Sequence, residues 1–218
     1  MGAVTRALAN NIGANGVLVA GAFNNTKSFG NITSLPASIS AGNLKLLSTT
    51  TISTDTTNVD ITANIDSTYP IYQFRFINLK VETDGANLQI DFSHNGGSSF
   101  GASKTTTFSR TVGVDTSYSY ETDKDLHDSS TAQRISHSQG NDSDSGMCGY
   151  MWLNNPSSTT FHKGFQIDGI HFQTGKENFY YHCHGVINST NAVDAVRINC
   201  SSGDVTGGII KLYGLKDA

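Results

Sequence analysis

The sequence predicts an all-β protein: an antiparallel β-sandwich, most simply a jelly roll, preceded by an extended N-terminal arm. Three observations support this. From about residue 44 onward, apolar and polar residues alternate with a period of two, as they do in half-buried strands. Gly and Asn turn signals separate the alternating runs. Helical periodicity is weak and confined to residues 123–132. About ten short strands at this spacing are typical of a sandwich or jelly roll.

The clearest strand is predicted at 71–81, where Tyr72, Phe74 and Phe76 should lie on one face and Gln73 and Arg75 on the other. The predicted strands are 44–52, 59–65, 71–81, 86–92, 105–112, 116–120, 133–137, 147–153, 160–172, 179–187, 192–200 and 208–215. Their inward positions predict a core that contains Tyr72, Phe74, Phe76, Leu88, Ile90, Phe92, Val196, Ile198 and Leu212.

The composition excludes several classes of protein. Charged residues make up 15% of the chain and the formal net charge is −4, which argues against a nucleic-acid-binding protein because such proteins need a basic face. No apolar run approaches the roughly 20 residues of a membrane span, and we expect no secretory signal at the N-terminus. Cys148, Cys183 and Cys200 lack CxxC spacing, so we predict buried free thiols and assembly in a reducing cytoplasm.

Residues 93–100 match the pattern of an Asp-box, the turn that is repeated in sialidase propellers. In such a turn the Asn95 side chain caps the backbone, Gly97 takes a positive φ and Phe100 packs beneath the hairpin. A propeller needs one copy of the turn in each blade, and this chain has one copy. We therefore predict a structural turn, and a glycan-cleaving enzyme remains only a third hypothesis.

The motifs predict neither a metal site nor a catalytic one. His182 and His184 should share one face of a strand, with Cys183 opposite and His171 as the nearest further ligand. A closed zinc site needs about four ligands, so histidines on a polar face are the favoured interpretation. The acidic loop 139–146 is predicted to be exposed, and it lacks the spacing of a calcium loop. The GxSxG, HExxH and P-loop motifs are missing from the sequence, and we expect no cofactor.

Residues 1–42 differ from the β-sandwich domain predicted at 43–218. They are rich in small turn-forming residues and poor in aromatic ones, so they cannot bury a core of their own. The segment is either a flexible leader or an extended arm that orders against a partner, and its regular apolar residues favour the arm. The predicted contact residues of this arm are Val4, Leu8, Ile12, Val17, Leu18 and Phe23.

Several passages, taken in order, resemble small virion proteins of tailed phages, chiefly those of marine cyanobacteria and other marine bacteria. The passages are 4–12, 72–80, 83–90, 93–100, 153–161, 192–198, 201–205 and 208–216. They extend over nearly the whole chain, and their shared order carries the resemblance. It implies a structural component of the virion and transfers no catalytic residues.

Together, the residues and the resemblance favour a non-enzymatic virion protein that decorates or cements the capsid and is anchored by its arm. We expect a homo-oligomer, most simply a trimer, that contacts the major capsid protein or tail proteins. The alternative is a tail-attached fibre or receptor-binding protein that recognises a host surface glycan. Neither hypothesis involves nucleic acid or membrane insertion.

Overall fold

The computed structural model describes residues 44–114, 117–122, 125–173 and 177–216, and every regular element within them is a β-strand. Within these described ranges, thirteen strands follow one another. Their bounds are β1 Leu44–Ile52, β2 Asn58–Ile61, β3 Ile71–Val81, β4 Leu88–Ser93, β5 Lys104–Val114, β6 Ser117–Thr122, β7 Leu126–Ser129, β8 Gln133–Arg134, β9 Met147–Asn154, β10 Lys163–Phe172, β11 Asn178–Ile187, β12 Ala195–Cys200 and β13 Val205–Leu215.

The strands form two sheets in which every pairing between strands is antiparallel. The larger sheet has nine strands in the order β1-β13-β3-β9-β10-β11-β5-β6, with β7 also paired to β5. The smaller sheet has four strands in the order β2-β12-β4-β8. In the larger sheet β5–β6, β9–β10 and β10–β11 are pairs of consecutive strands, whereas β13 pairs with β1 and β3, and β11 pairs with β5. Every pairing in the smaller sheet joins strands that are distant in the chain, so the fold depends largely on non-local pairing.

One hydrophobic core lies between the two sheets, which gives a β-sandwich-like architecture. Phe92 of the smaller sheet and Phe165 of the larger sheet meet there with their ring centroids 5.0 Å apart. All of the predicted core residues are at most 2% exposed, so that prediction is confirmed. It succeeded because side chains in a strand alternate strictly between its two faces. Burial of a Phe-sized side chain contributes roughly 1.5–3 kcal/mol.

The weak helical pattern near residues 123–132 overlaps strand β7, which pairs with β5. The prediction of an exposed loop at 139–146 is only partly correct. The loop 139–146 is exposed only at residues 141–144, while Gln139 is fully buried. Its side-chain amide donates a hydrogen bond of 2.7 Å to the Leu79 carbonyl. A polar side chain tolerates burial when it forms such a bond, and composition alone does not reveal the bond.

The Asp-box-like turn has the predicted local geometry in a different setting. Asn95 Oδ1 accepts a hydrogen bond of 3.0 Å from the Ser99 backbone N–H, and Gly97 has a φ of +83°. However, the turn leads from β4 in the smaller sheet to β5 in the larger sheet, so it does not close a hairpin. Phe100 lies under the guanidinium of Arg197, whose central carbon is 4.0 Å from the ring centroid.

The predicted arm, residues 1–42, and its six contact residues lie outside the described residues, so the arm stays a prediction. The three cysteines are free thiols, as expected. Only Cys183 is fully buried, whereas Cys148 and Cys200 are partly exposed.

Candidate functional site

The candidate site lies on the outer face, which we define as the side of strands β9, β10 and β11 that points away from the core. Strand β10 places Phe165 and Ile167 in the core, and the alternating positions therefore point outward. Antiparallel register aligns the outward residues of the three strands in cross-strand rows. The rows are Trp152–Gln166–His184, Tyr150–Asp168–His182 and Cys148–Ile170–Tyr180.

Asp168 is the centre of the outer face, and both of its carboxylate oxygens accept hydrogen bonds. Oδ1 accepts one of 2.8 Å from the Tyr180 hydroxyl and lies 2.6 Å from His182 Nδ1. Oδ2 accepts one of 3.2 Å from the Gln166 amide. Asp168 is only 8% exposed, so these bonds compensate for the loss of water around the charge.

The contacts extend from Asp168 through the two histidines. His182 Nε2 lies 3.3 Å from His184 Nδ1, and the two rings are 5.3 Å apart. The prediction that these histidines share a face with Cys183 opposite is confirmed, because Cys183 is buried in the core. The carboxylate therefore orients a series of polar side chains that ends at the exposed ring of His184.

The ionisation of this group follows from its contacts. Burial alone would raise the pKa of Asp168, but hydrogen bonds from His182, Tyr180 and Gln166 outweigh burial and lower it. The hydrogen bond to Asp168, together with burial, raises the pKa of Tyr180 to about 12. Burial and the charge of Asp168 also raise the pKa of Tyr150. Near neutral pH the centre is thus one carboxylate beside two protonated tyrosines.

Aromatic and aliphatic side chains surround the polar centre. Tyr150, Tyr180, Ile170 and Phe172 are between 38% and 50% exposed. Tyr150 also packs edge-on against Trp152, with ring centroids 6.5 Å apart. Exposed aromatic and aliphatic side chains that are grouped on one side of a sheet are a feature of contact and ligand-binding surfaces. The outer face can therefore offer ring planes and hydrogen-bonding groups at the same time.

The Asp168–His182 pair resembles part of a hydrolytic triad, but its geometry does not match the arrangement of a complete triad. His182 Nε2 faces His184 rather than a serine or a cysteine. The hydroxyl of Ser109, which is opposite His182 on β5, donates to the His182 carbonyl at 3.4 Å. A general base needs the proton of its nucleophile within hydrogen-bonding reach. These contacts order the surface and do not activate a nucleophile.

His171, the predicted third neighbour of the histidine pair, faces the core and is 2% exposed. That prediction is wrong because residue 171 lies on the opposite side of β10 from residues 166 and 168. Its Nε2 lies 2.7 Å from the His137 carbonyl, and its ring stacks on Phe179 at 5.3 Å. Among the described residues, no group of three or more His, Cys, Asp or Glu could hold a metal ion.

Burial, with contributions from the charges of Arg134 and Arg110, lowers the pKa of His171 to about 3. The ring is therefore neutral at physiological pH and serves as a packing element. His137 is partly exposed, and its ring centroid lies 5.8 Å from that of Phe179.

The smaller sheet presents a different set of polar residues on its own outward side. Arg197 bonds to both carboxylate oxygens of Asp60 at 2.7 Å. Lys104, which comes from the larger sheet, reaches Asp91 of β4 at 3.0 Å and donates to the Thr131 carbonyl at 2.8 Å. Burial lowers the pKa of Lys104, and the Asp91 charge opposes that shift. Each carboxylate here is paired with a cation.

Analysis of the sequence did not identify Asp168, Gln166 or Tyr180 as site residues. The available signal was the alternation of Gln166 and Asp168 on one predicted strand and of Tyr180, His182 and His184 on the next. Two consecutive strands joined by a short connection usually pair, which would have placed these residues on one face.

Compared with known protein families, curated proteins and solved structures, the chain matches none of them. Among the described residues, no helix has the length and apolar character needed to cross a membrane.

Proposed function

We propose that this protein is a non-enzymatic structural component of a phage virion, a jelly-roll protein that decorates or cements the capsid. The observation that carries the proposal is the strand order. Strands β5–β7 and the hairpin β10–β11 extend one side of the larger sheet. Without them, the orders are β1-β13-β3-β9 and β2-β12-β4-β8.

In this order the first strands of the chain pair with the last in reverse sequence. Strand β1 pairs with β13, β2 with β12, β3 with β9 and β4 with β8. A long antiparallel hairpin that wraps into two sheets produces such pairing, and this supports a jelly roll. Jelly rolls are common among viral capsid domains and lectins. The ordered resemblance to phage virion proteins supports the same role.

The proposed partners are the major capsid protein or tail proteins and further copies of this chain. Residues 1–42 would anchor the protein through apolar contacts, with assembly on the virion in the host cytoplasm. Ordering an extended segment costs roughly 1–2 kcal/mol per residue, so such an arm needs a neighbouring surface that offsets the cost. We propose a homotrimer, which light scattering on the full chain would test; a monomer at micromolar concentration would contradict it.

Immunogold labelling of virions, using an antibody against this protein, tests the proposed location. We expect label distributed over the head, and virions without label would refute a structural role.

A full-length variant with Leu8→Asp and Phe23→Asp should remain folded by circular dichroism but attach poorly to particles. Phe161→Asp is the matched control because Phe161 is 68% exposed on the β-domain. Equal attachment of both variants would place the anchor outside the arm.

The second candidate is a tail-attached fibre or receptor-binding protein. The outer face favours it because Tyr150, Tyr180 and Ile170 stay exposed around an ordered polar centre. Label confined to the tail would select this candidate over the capsid role.

A further inference from the structure

The aromatic rings of the outer face are arranged so that a flat ligand can rest on them. Trp152 and Tyr150 occupy adjacent rows on β9, and Tyr180 lies two strands away on β11. Neighbouring strands are about 4.8 Å apart, so the rings flank a strip about 10 Å wide. Tyr and Trp supply large rigid contact surfaces that also carry polar atoms. Pyranose rings match such surfaces because they have C–H faces and hydroxyl edges.

The polar groups between the rings are already held in place. Asp168 fixes the orientation of Gln166, Tyr180 and His182 through its three bonds. These bonds use the oxygens of the Asp168 carboxylate. The side chains around it, however, keep hydrogen-bonding atoms that can contact a ligand. Gln166 keeps its side-chain carbonyl, the Tyr180 oxygen can still accept, and His184 has a second ring nitrogen. Sugar hydroxyls both donate and accept, so they can bond to all of these groups.

Charge decides which sugars fit. The ionised carboxylate of Asp168 lies at the middle of the strip. Two of its partners, Tyr180 and Gln166, are neutral, and the third is His182 at 2.6 Å. Arg75 remains a cation, because its Nε donates to the neutral Gln73 side chain at 2.9 Å, but it lies two strands away from Asp168, beyond Tyr150 in the register. A carboxylated or sulfated sugar laid across β10 would meet the negative centre at close range, and a neutral sugar avoids this repulsion.

We propose that the outer face binds a neutral glycan, with Trp152, Tyr150 and Tyr180 as stacking platforms and Gln166 and His184 as hydrogen-bonding partners. Asp168 acts as a positioning residue and as the group that disfavours anionic sugars. This inference rests on the second candidate function and gives it a site and a ligand class. Its test uses purified protein, so its outcome does not depend on where the protein lies on the virion.

The experiment is binding of the full chain to an oligosaccharide array, followed by titration calorimetry. The neutral probes are maltopentaose, cellopentaose, laminaripentaose, mannopentaose and chitopentaose, and the acidic probes are polygalacturonate and heparin. We expect binding to at least one neutral probe and weaker binding to both acidic probes. Binding to none of the neutral probes, or stronger binding to the acidic ones, would overturn the proposal.

Variants test the site itself. Tyr180→Ala and Trp152→Ala should each weaken binding of the selected neutral probe about tenfold, which corresponds to about 1.4 kcal/mol. Phe161→Ala removes an exposed ring from the turn before β10 and should leave the affinity unchanged. Unchanged affinity in both ring variants would show that the glycan binds elsewhere and would refute the proposal.

Asp168→Asn provides a readout that a purely structural role would not change. Removing the charge should reduce the ratio of neutral to acidic probe affinity, whereas a general loss of structure would weaken both equally. A ratio that stays constant would contradict the role of Asp168.

The face could instead bind a second copy of this chain. Light scattering decides this: a lower molecular mass for Tyr180→Ala, without glycan binding by the native chain, would identify a subunit interface and refute the glycan site.

Discussion

The outward sides of the two sheets both carry carboxylates, but the side chains that bind these carboxylates differ between the two sides. On the smaller sheet Asp60 and Asp91 are paired with the cations Arg197 and Lys104. On the larger sheet Asp168 accepts hydrogen bonds from two neutral donors and contacts one histidine. The first arrangement satisfies both partners of each pair. The second satisfies the carboxylate and leaves its partners with unused hydrogen-bonding capacity.

This difference separates structural polar groups from groups available for recognition. The Lys104–Asp91 pair links the two sheets and is largely buried, so its main effect is on stability. The Asp168 group lies among exposed rings and has polar atoms at the surface, so its effect should be on binding. Variants on the two sides should therefore have opposite profiles: large losses of stability on one, and large losses of affinity on the other.

The largest effect on the free energy of unfolding is expected at His171, which lies in the core beneath the outer face. We assign the acid sensitivity of the fold to this buried residue and not to the outward side of either sheet. Its pKa is about 3 in the folded chain, against 6.5 for an ordinary histidine. The unfolded chain therefore binds the extra proton first as the pH falls. Stability is fully present above pH 6.5 and decreases towards pH 3, by roughly 5 kcal/mol in total at about 1.4 kcal/mol per pH unit.

Urea unfolding between pH 7 and pH 4 measures this dependence. His171→Gln should flatten it, and His162→Gln, which alters an exposed histidine, should not. The hydrogen bonds to Asp168 hold the pKa of its carboxyl below the ordinary 3.8, so this carboxylate remains mostly ionised between pH 7 and pH 4. An unchanged pH dependence in His171→Gln would assign the acid sensitivity to other groups.

The second largest effect is expected for Asp91→Asn, which tests the structural character of the smaller sheet's ion pair. The change leaves Lys104 buried without its carboxylate, and breaking such a pair costs about 3–5 kcal/mol. Chemical denaturation measures the loss. Adding Lys104→Met to Asp91→Asn should restore much of the stability because the uncompensated charge is removed. A loss below about 1 kcal/mol in the single variant would mean that the pair is solvated.

Tyr180→Phe should have a smaller effect on stability than Asp91→Asn. It removes the hydroxyl that donates to Asp168 Oδ1, but the side chain is 46% exposed and water can replace the bond. We expect a loss of about 1 kcal/mol in the free energy of unfolding. A loss as large as that of Asp91→Asn would show that the Asp168 group is structural and would remove the contrast between the two sides.

The smallest effect is expected at Phe100→Leu, which keeps an apolar side chain beneath Arg197 but removes the ring. A partly exposed cation–π contact contributes about 0.5–1 kcal/mol, so the free energy of unfolding should fall by that amount. Thermal unfolding of this variant and of Phe161→Leu, which changes an exposed ring outside this contact, gives the comparison. Equal melting temperatures in the two variants would show that the contact contributes nothing to stability.

Local sequence patterns predicted the strands and the buried faces well, because alternation is a property of each strand by itself. The faces of Phe74, Ile90 and Ile198 were predicted without knowledge of any pairing. The short strand β7 was missed because its four residues are held by pairing with β5, a contact that local propensity does not encode.

The candidate site was harder to predict because it depends on register between strands. Gln166, Asp168 and Tyr180 are ordinary outward residues in the sequence, and their contacts exist only when β10 and β11 pair in the observed alignment. A shift of one residue would turn Asp168 into the core and destroy the group. His171 differs from these residues, because alternation within β10 alone places it on the core side, opposite Gln166 and Asp168.

The position of β13 has a consequence for how the protein is made. This strand lies between β1 and β3, so β1 and β3 do not pair with each other. During synthesis, residues 44–81 must wait for residues 205–215 before their side of the larger sheet can close. Folding is therefore expected to finish late and slowly, as is usual for chains dominated by non-local pairing. Until then the unpaired edges of β1 and β3 are open to other chains, and crowding many nascent copies would favour their aggregation.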